Sequence, residues 1–91
     1  MLRITVSSDG SRTRIALEGR LVGPWVDQLQ ECWVRERATR EPGALQVDLA
    51  DVAFVDAAGK RLLASFHAQG ALLTAANLLA RAILDEIVRG G

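Results

Sequence analysis

In the stretch FVDAAGKRLL, residues 54–63, an apolar run meets Asp56, Ala57, Ala58 and Gly59 and then takes up an amphipathic helical pattern. A carboxylate and a glycine at a strand-to-helix junction suit two kinds of chemistry. Asp56 can cap the helix, its carboxylate accepting a hydrogen bond from the backbone N–H of Ala58 or Gly59. Alternatively, the unpaired N–H groups and positive dipole end of a helix start can hold a phosphoryl group or another anion. Lys60 and Arg61 place two cations in the first turn, where they oppose the dipole at a cost of about a few tenths of a kcal/mol each. That placement fits either a partner surface or an exposed face that tolerates it. Ala57 and Ala58 carry no hydroxyl, so neither can donate a proton or accept a phosphate.

The other reactive side chains are sparse. His67 is the sole histidine, near the end of the helix that follows Asp56, where its charged form suits the dipole. The single cysteine, Cys32, has no partner for an internal disulfide or a metal site. It falls on an apolar helical stripe and is expected to pack as a small hydrophobe. Trp25 and Trp33 lie eight residues apart on the same face, as core or subunit-interface residues. The sequence contains no phosphate-binding glycine loop, no metal-ligand cluster and no acid–base pair. No catalytic residue, metal or cofactor is therefore expected, and the chain reads as a non-enzyme.

Elements to position these residues follow from hydrophobic period. Leu2, Ile4 and Val6 alternate with Arg3 and Thr5, the two-residue repeat of a strand with one buried face. Ile15 and Leu17 resume it after Asp9-Gly10, a strong hairpin signal. Gly23-Pro24 opens a helix, proline being suited to the first helical position. Trp25, Val26, Leu29, Cys32 and Trp33 form its apolar stripe, and Asp27 sits in its first turn. The charged run RERATREPG reads as a solvated helix end and loop, closed by Pro42-Gly43. Leu45, Val47 and Leu49 return to the strand period, and VAFV at 52–55 extends the apolar character past Asp51. After Asp56 comes a second helix with Leu62, Leu63 and Phe66 inward, ended by Gly70. ALLTA at 71–75 is a short apolar strand. Asn77 is placed to cap a third helix, with Leu79, Ile83 and Ile87 as its stripe and Leu78 and Ala82 beside it.

The order is β-β-α-β-α-β-α over a single domain, residues 1–91. Strands joined through helices pair in parallel by right-handed crossovers, and the opening hairpin makes the sheet mixed. Helices packed mainly on one face complete an α/β fold. The 91 residues, 49% of them apolar, suffice for one core. A chain of this size buries about 60–65% of its unfolded surface, leaving little room for a deep cleft. Lys plus Arg and Asp plus Glu number 11 each, so the charge is balanced. Nucleic-acid binding, which needs a concentrated basic face, is not expected. Neither is membrane insertion, since the tract ALLTAANLLARAIL is broken by Thr74, Asn77 and Arg81. A cytoplasmic location is expected.

The strand order, LEGRL at 17–21, VDLADVAFVDAAGKRLL at 47–63 and QGALLTAA at 69–76 together resemble the STAS domain, the family of anti-sigma factor antagonists and of the cytoplasmic domains of sulfate transporters. The resemblance runs from about Leu2 to Ile87. Its most specific part is an acidic-apolar strand, then apolar-Asp-x-x-Gly at a helix start, then glycine and a short apolar strand. In the antagonists the motif is commonly Asp-Ser-Ser-Gly or Asp-Ser-Thr-Gly, and a kinase-type anti-sigma factor phosphorylates a hydroxyl there. Asp56 and Gly59 match; Ala57 and Ala58 replace the hydroxyls. Val22, after the Leu17, Gly19, Leu21 pattern, stands where the family often has Asp.

The resemblance implies a bacterial, non-catalytic signalling module for transcription regulation. Its protein partner would meet Asp56, Ala57, Ala58, Gly59, Lys60 and Arg61, and it would bind in the manner of a permanently unphosphorylated antagonist. The expected partner is an anti-sigma factor of the serine-kinase type. A second implied role is an accessory subunit on the ATPase of an ABC-type transporter, and a third is a scaffold in a STAS assembly. The oligomeric state stays open, a homo-oligomer included.

Overall fold

A computed structural model describes residues 1–75 and 78–89. Its elements are β1 (Leu2–Ser8), β2 (Thr13–Leu21), α1 (Pro24–Arg37), a 3-10 turn (Pro42–Ala44), β3 (Leu45–Val55), α2 (Ala57–Ala68), β4 (Leu72–Thr74) and α3 (Leu78–Val88). The expected order holds, and the four strands form one sheet in the order β1-β2-β3-β4. β1 and β2 pair antiparallel; β2 with β3 and β3 with β4 pair in parallel. The sheet is mixed, as the hairpin and the helical crossovers dictate.

Local chemistry accounts for the turns. Gly10 takes a positive φ of 97° in the β1–β2 hairpin, where the Asp9 carboxylate accepts a hydrogen bond from the Arg12 N–H. Pro24 occupies the first turn of α1, and Gly70, with φ at 107°, ends α2. α1 stops at Arg37, before Pro42-Gly43; these two residues instead build the 3-10 turn that leads into β3. Asn77, expected to cap α3, lies outside the described residues, as do the side chains of Leu78 and Leu79.

One face of the sheet makes the core. Ile15, Leu17 and Leu21 of β2 and Leu45, Val47 and Leu49 of β3 are buried against Leu29 and Trp33 of α1 and Leu63 and Phe66 of α2, with Ile83 and Ile87 of α3. The Trp33 and Phe66 rings stack with centroids 4.0 Å apart. Apart from Thr13, which is buried beside Ile15 and Leu17, the strand alternation turns most polar side chains to the opposite face. There Arg3 pairs with Glu18 at 4.0 Å, Arg14 donates to Asp48, and Gln46 donates to Thr74 at 3.2 Å. Asp48 is nearly buried among them. Burial opposes its charge, but the Arg14 guanidinium and the Ala50 N–H outweigh that and hold its carboxyl below the usual range.

β3 is the long strand, and only its first part, Gln46–Asp48, pairs with β4. Irregularities between Ala16 and Glu18 and between Gly19 and Arg20 shift its register against β2, yet the two strands finish level, Leu21 opposite Val55. Their C-terminal ends therefore deliver the starts of α1 and α2 to the same edge of the molecule.

Candidate functional site

The two helix starts are bound together through Asp56. Its backbone is extended, with φ −81° and ψ 179°, and it is the N-cap of α2. One carboxylate oxygen accepts from the Gly59 N–H at 2.7 Å, and the other from the Gly23 N–H at 3.0 Å. Its own N–H donates to the Leu21 carbonyl at 3.1 Å. A single residue thus closes its own helix and clips the β2–α1 loop to it. The N–H of Gly59, then that of Gly23, and the nearby Arg61 charge all favour the anion, and the Asp56 carboxyl lies below its ordinary value.

Gly59 is buried, for a reason separate from capping. A Cβ there would lie 2.8 Å from Val55 Cγ1 and 2.9 Å from the Leu21 carbonyl oxygen. The first turn of α2 rests directly on the ends of β2 and β3, and only glycine allows that approach. Its N–H, a donor that an anion at this helix start would use, is already held by Asp56. The spacing Asp-x-x-Gly is thereby explained by one cap and one close contact.

The remaining motif residues separate. Ala57 is exposed, whereas Ala58 is half-buried and packs against the core. Lys60 forms an ion pair with Glu86 of α3 at 3.1 Å, so an acid from another helix offsets a cation placed against the dipole. Arg61 is exposed and forms no ion pair with the described residues. Val22 is half-buried in the β2–α1 loop, and its carbonyl accepts from the Trp25 N–H at 3.1 Å. His67 is exposed at the far end of α2, away from the loop. Cys32 is buried, and burial raises its thiol pKa.

Two features escaped the sequence reading. The bond from Gly23 to Asp56 spans 33 positions and left no local signal. Phe54, taken as part of an apolar strand, is 46% exposed on the open face of the sheet, with the Arg20 guanidinium 5.3 Å from its ring centroid. The register shift between Gly19 and Arg20 puts Val52 in the core and Phe54 on the opposite face, although the two are two residues apart. Among the described residues no group of three or more His, Cys, Asp or Glu side chains could hold a metal ion, and no helix is long and apolar enough to cross a membrane.

The sheet order and the helices on one face make a SpoIIAA-like fold, which is the STAS fold. Solved structures that superpose on this chain include the following two. An uncharacterized protein of the DUF3478 family from Shewanella loihica, described as having a SpoIIAA-like fold, superposes with a TM-score of 0.58 at 11% identity, over 86% of this chain and 70% of its own. A structure of Mglu superposes with a TM-score of 0.60 at 22% identity over 80% of this chain, which spans only 19% of the Mglu chain. No protein-family model matches the sequence, and no curated protein matches it. The resemblance read from the sequence therefore holds at the level of the fold.

Proposed function

We propose that the chain is a non-catalytic regulatory module of the anti-sigma factor antagonist class, which binds a protein partner through the edge formed by the β2–α1 loop and the start of α2. The observation that supports this reading most is the pair of hydrogen bonds that the Asp56 carboxylate accepts from Gly59 and Gly23. They tie the β2–α1 loop to the start of α2 as one surface, while Ala57 and Ala58 leave that surface without a phosphate acceptor. The partner class is a kinase-type anti-sigma factor, and the complex forms without a phosphorylation switch. Arg61, exposed and without an ion pair among the described residues, supplies the free charge of the contact. Lys60 is a poorer probe, because changing it also removes the tie to Glu86.

Titration calorimetry with the cognate kinase-type anti-sigma factor tests the reading. Arg61→Glu should weaken binding by about tenfold or more, as truncation of a desolvated interfacial charge does. Incubation of the complex with ATP should leave the affinity unchanged. A loss of affinity after incubation with ATP, or an affinity unchanged by Arg61→Glu, would reject it.

A further inference from the structure

The two edges of the sheet are protected unequally. β4 is only three residues long, and a short strand offers little to a neighbour. β1 runs for seven residues without proline or bulge, and its second half, Thr5–Ser8, carries no charge. Among the described residues no strand lies beside its outer edge.

The hydrogen-bond parity of that edge can be worked out. In an antiparallel ladder, residues alternate between pairs that exchange hydrogen bonds and pairs that do not. The Arg20 N–H donates to the Met1 carbonyl, and the Asp9 N–H donates to the Arg12 carbonyl. Together with the register Leu2↔Gly19 to Ser8↔Thr13, this turns the backbone groups of Arg3, Thr5 and Ser7 toward β2. The N–H and C=O groups of Leu2, Ile4, Val6 and Ser8 therefore point outward. The side chains of Ile4 and Val6 stand on the helix-bearing face, Ile4 half-buried and Val6 42% exposed. They line a groove of about 430 Å³ between β1 and α1, together with Gln28, Glu31, Cys32 and Arg35.

We infer that β1 pairs antiparallel with β1 of a second copy, joining two four-stranded sheets into one continuous sheet about a two-fold axis at Thr5. This register uses the whole strand. It places Ile4 opposite Val6 of the second copy and Leu2 opposite Ser8, all of them residues whose backbone groups point outward. A full-length overlap and the observed parity thus demand the same pairing. The cross-strand contact of Ile4 with Val6 covers the exposed aliphatic groups on the helix side.

The charges on α1 select a second copy over another strand. Glu31 and Arg35 are exposed one helical turn apart beside the groove, and neither forms an ion pair among the described residues. A two-fold axis brings the two α1 helices antiparallel, so that Glu31 of each copy faces Arg35 of the other. An isologous interface needs such a self-complementary patch.

Sedimentation equilibrium of the intact chain tests this assembly. The expected particle has twice the 9.8 kDa of one chain and dissociates on dilution. Val6→Pro removes an outward N–H that β2 does not use, so it should weaken the dimer about tenfold or more while circular dichroism stays unchanged. Glu31→Arg and Arg35→Glu should each weaken it, and the double exchange should restore it, an outcome independent of whether the proline variant folds. A 9.8 kDa particle persisting to about 1 mM, a dimer indifferent to Val6→Pro in a folded variant, or a double exchange no better than either single would overturn the inference.

Discussion

The starts of α1 and α2 lie at the same end of the sheet, yet they are built by different means. α2 caps itself: Asp56 accepts from Gly59 within the same turn, and the helix is seated on β2 and β3 by a glycine that nothing larger can replace. α1 has no side-chain cap of its own. Gly23, at φ 53° and ψ −128°, precedes Pro24, and the loop is held from outside by the second oxygen of Asp56. The α2 start is fixed by packing, and the α1 start by backbone preference and a borrowed carboxylate. Damage at Asp56 should therefore propagate from α2 to α1, whereas damage at Gly23 should stay local.

Four substitutions and one change of condition can break or sharpen this contrast. The largest effect is expected at Gly59→Val, which drives a branched side chain into Val55 and the Leu21 carbonyl; urea denaturation should show a loss of about 3 kcal/mol. Gly23→Ala meets nothing within 4 Å and loses only the tolerance for positive φ, so the same measurement should give about 1–2 kcal/mol. A loss at Gly23 equal to that at Gly59 would erase the distinction between the two starts.

Acid comes next. The carboxyls of Asp56 and Asp48 are both depressed in the folded chain, so the stability they contribute is present above the unfolded value of about 4 and is lost as pH falls through the lower folded values. Stability should fall below about pH 4, and Asp56→Asn should flatten part of that slope. An unchanged slope would show that the clip carries no linkage. Pro24→Ala should be smallest, about 0.5 kcal/mol, through the freedom restored to the unfolded chain.

The fold was legible because its signals are local. The alternation of Ile15 and Leu17, the stripe from Val26 to Trp33, the glycine beyond α2 and the N-cap at Asp56 each follow from residues within one or two turns. The candidate site was legible by half. The spacing of Asp56 and Gly59 announced a cap, but not the reach to Gly23, and not that Gly59 is there for contact with Val55 and Leu21. Lys60 illustrates the same limit. A cation in a first turn looks unopposed in sequence, and the Glu86 that answers it arrives 26 residues later on a different helix. The exposure of Phe54 was not legible, because which face a strand residue takes depends on a register that the β2–β3 ladder does not keep unbroken.

The two tryptophans acquire a practical meaning from where they sit. Trp33 is locked in the core against Phe66, whereas Trp25 is half-buried two residues beyond Gly23. Their fluorescence should therefore divide by environment, a blue component from the sealed indole and a redder one from the indole beside the clipped loops. A ligand settling on those loops would move the red component alone, and global unfolding would move both, so the chain carries its own optical distinction between being occupied and being undone.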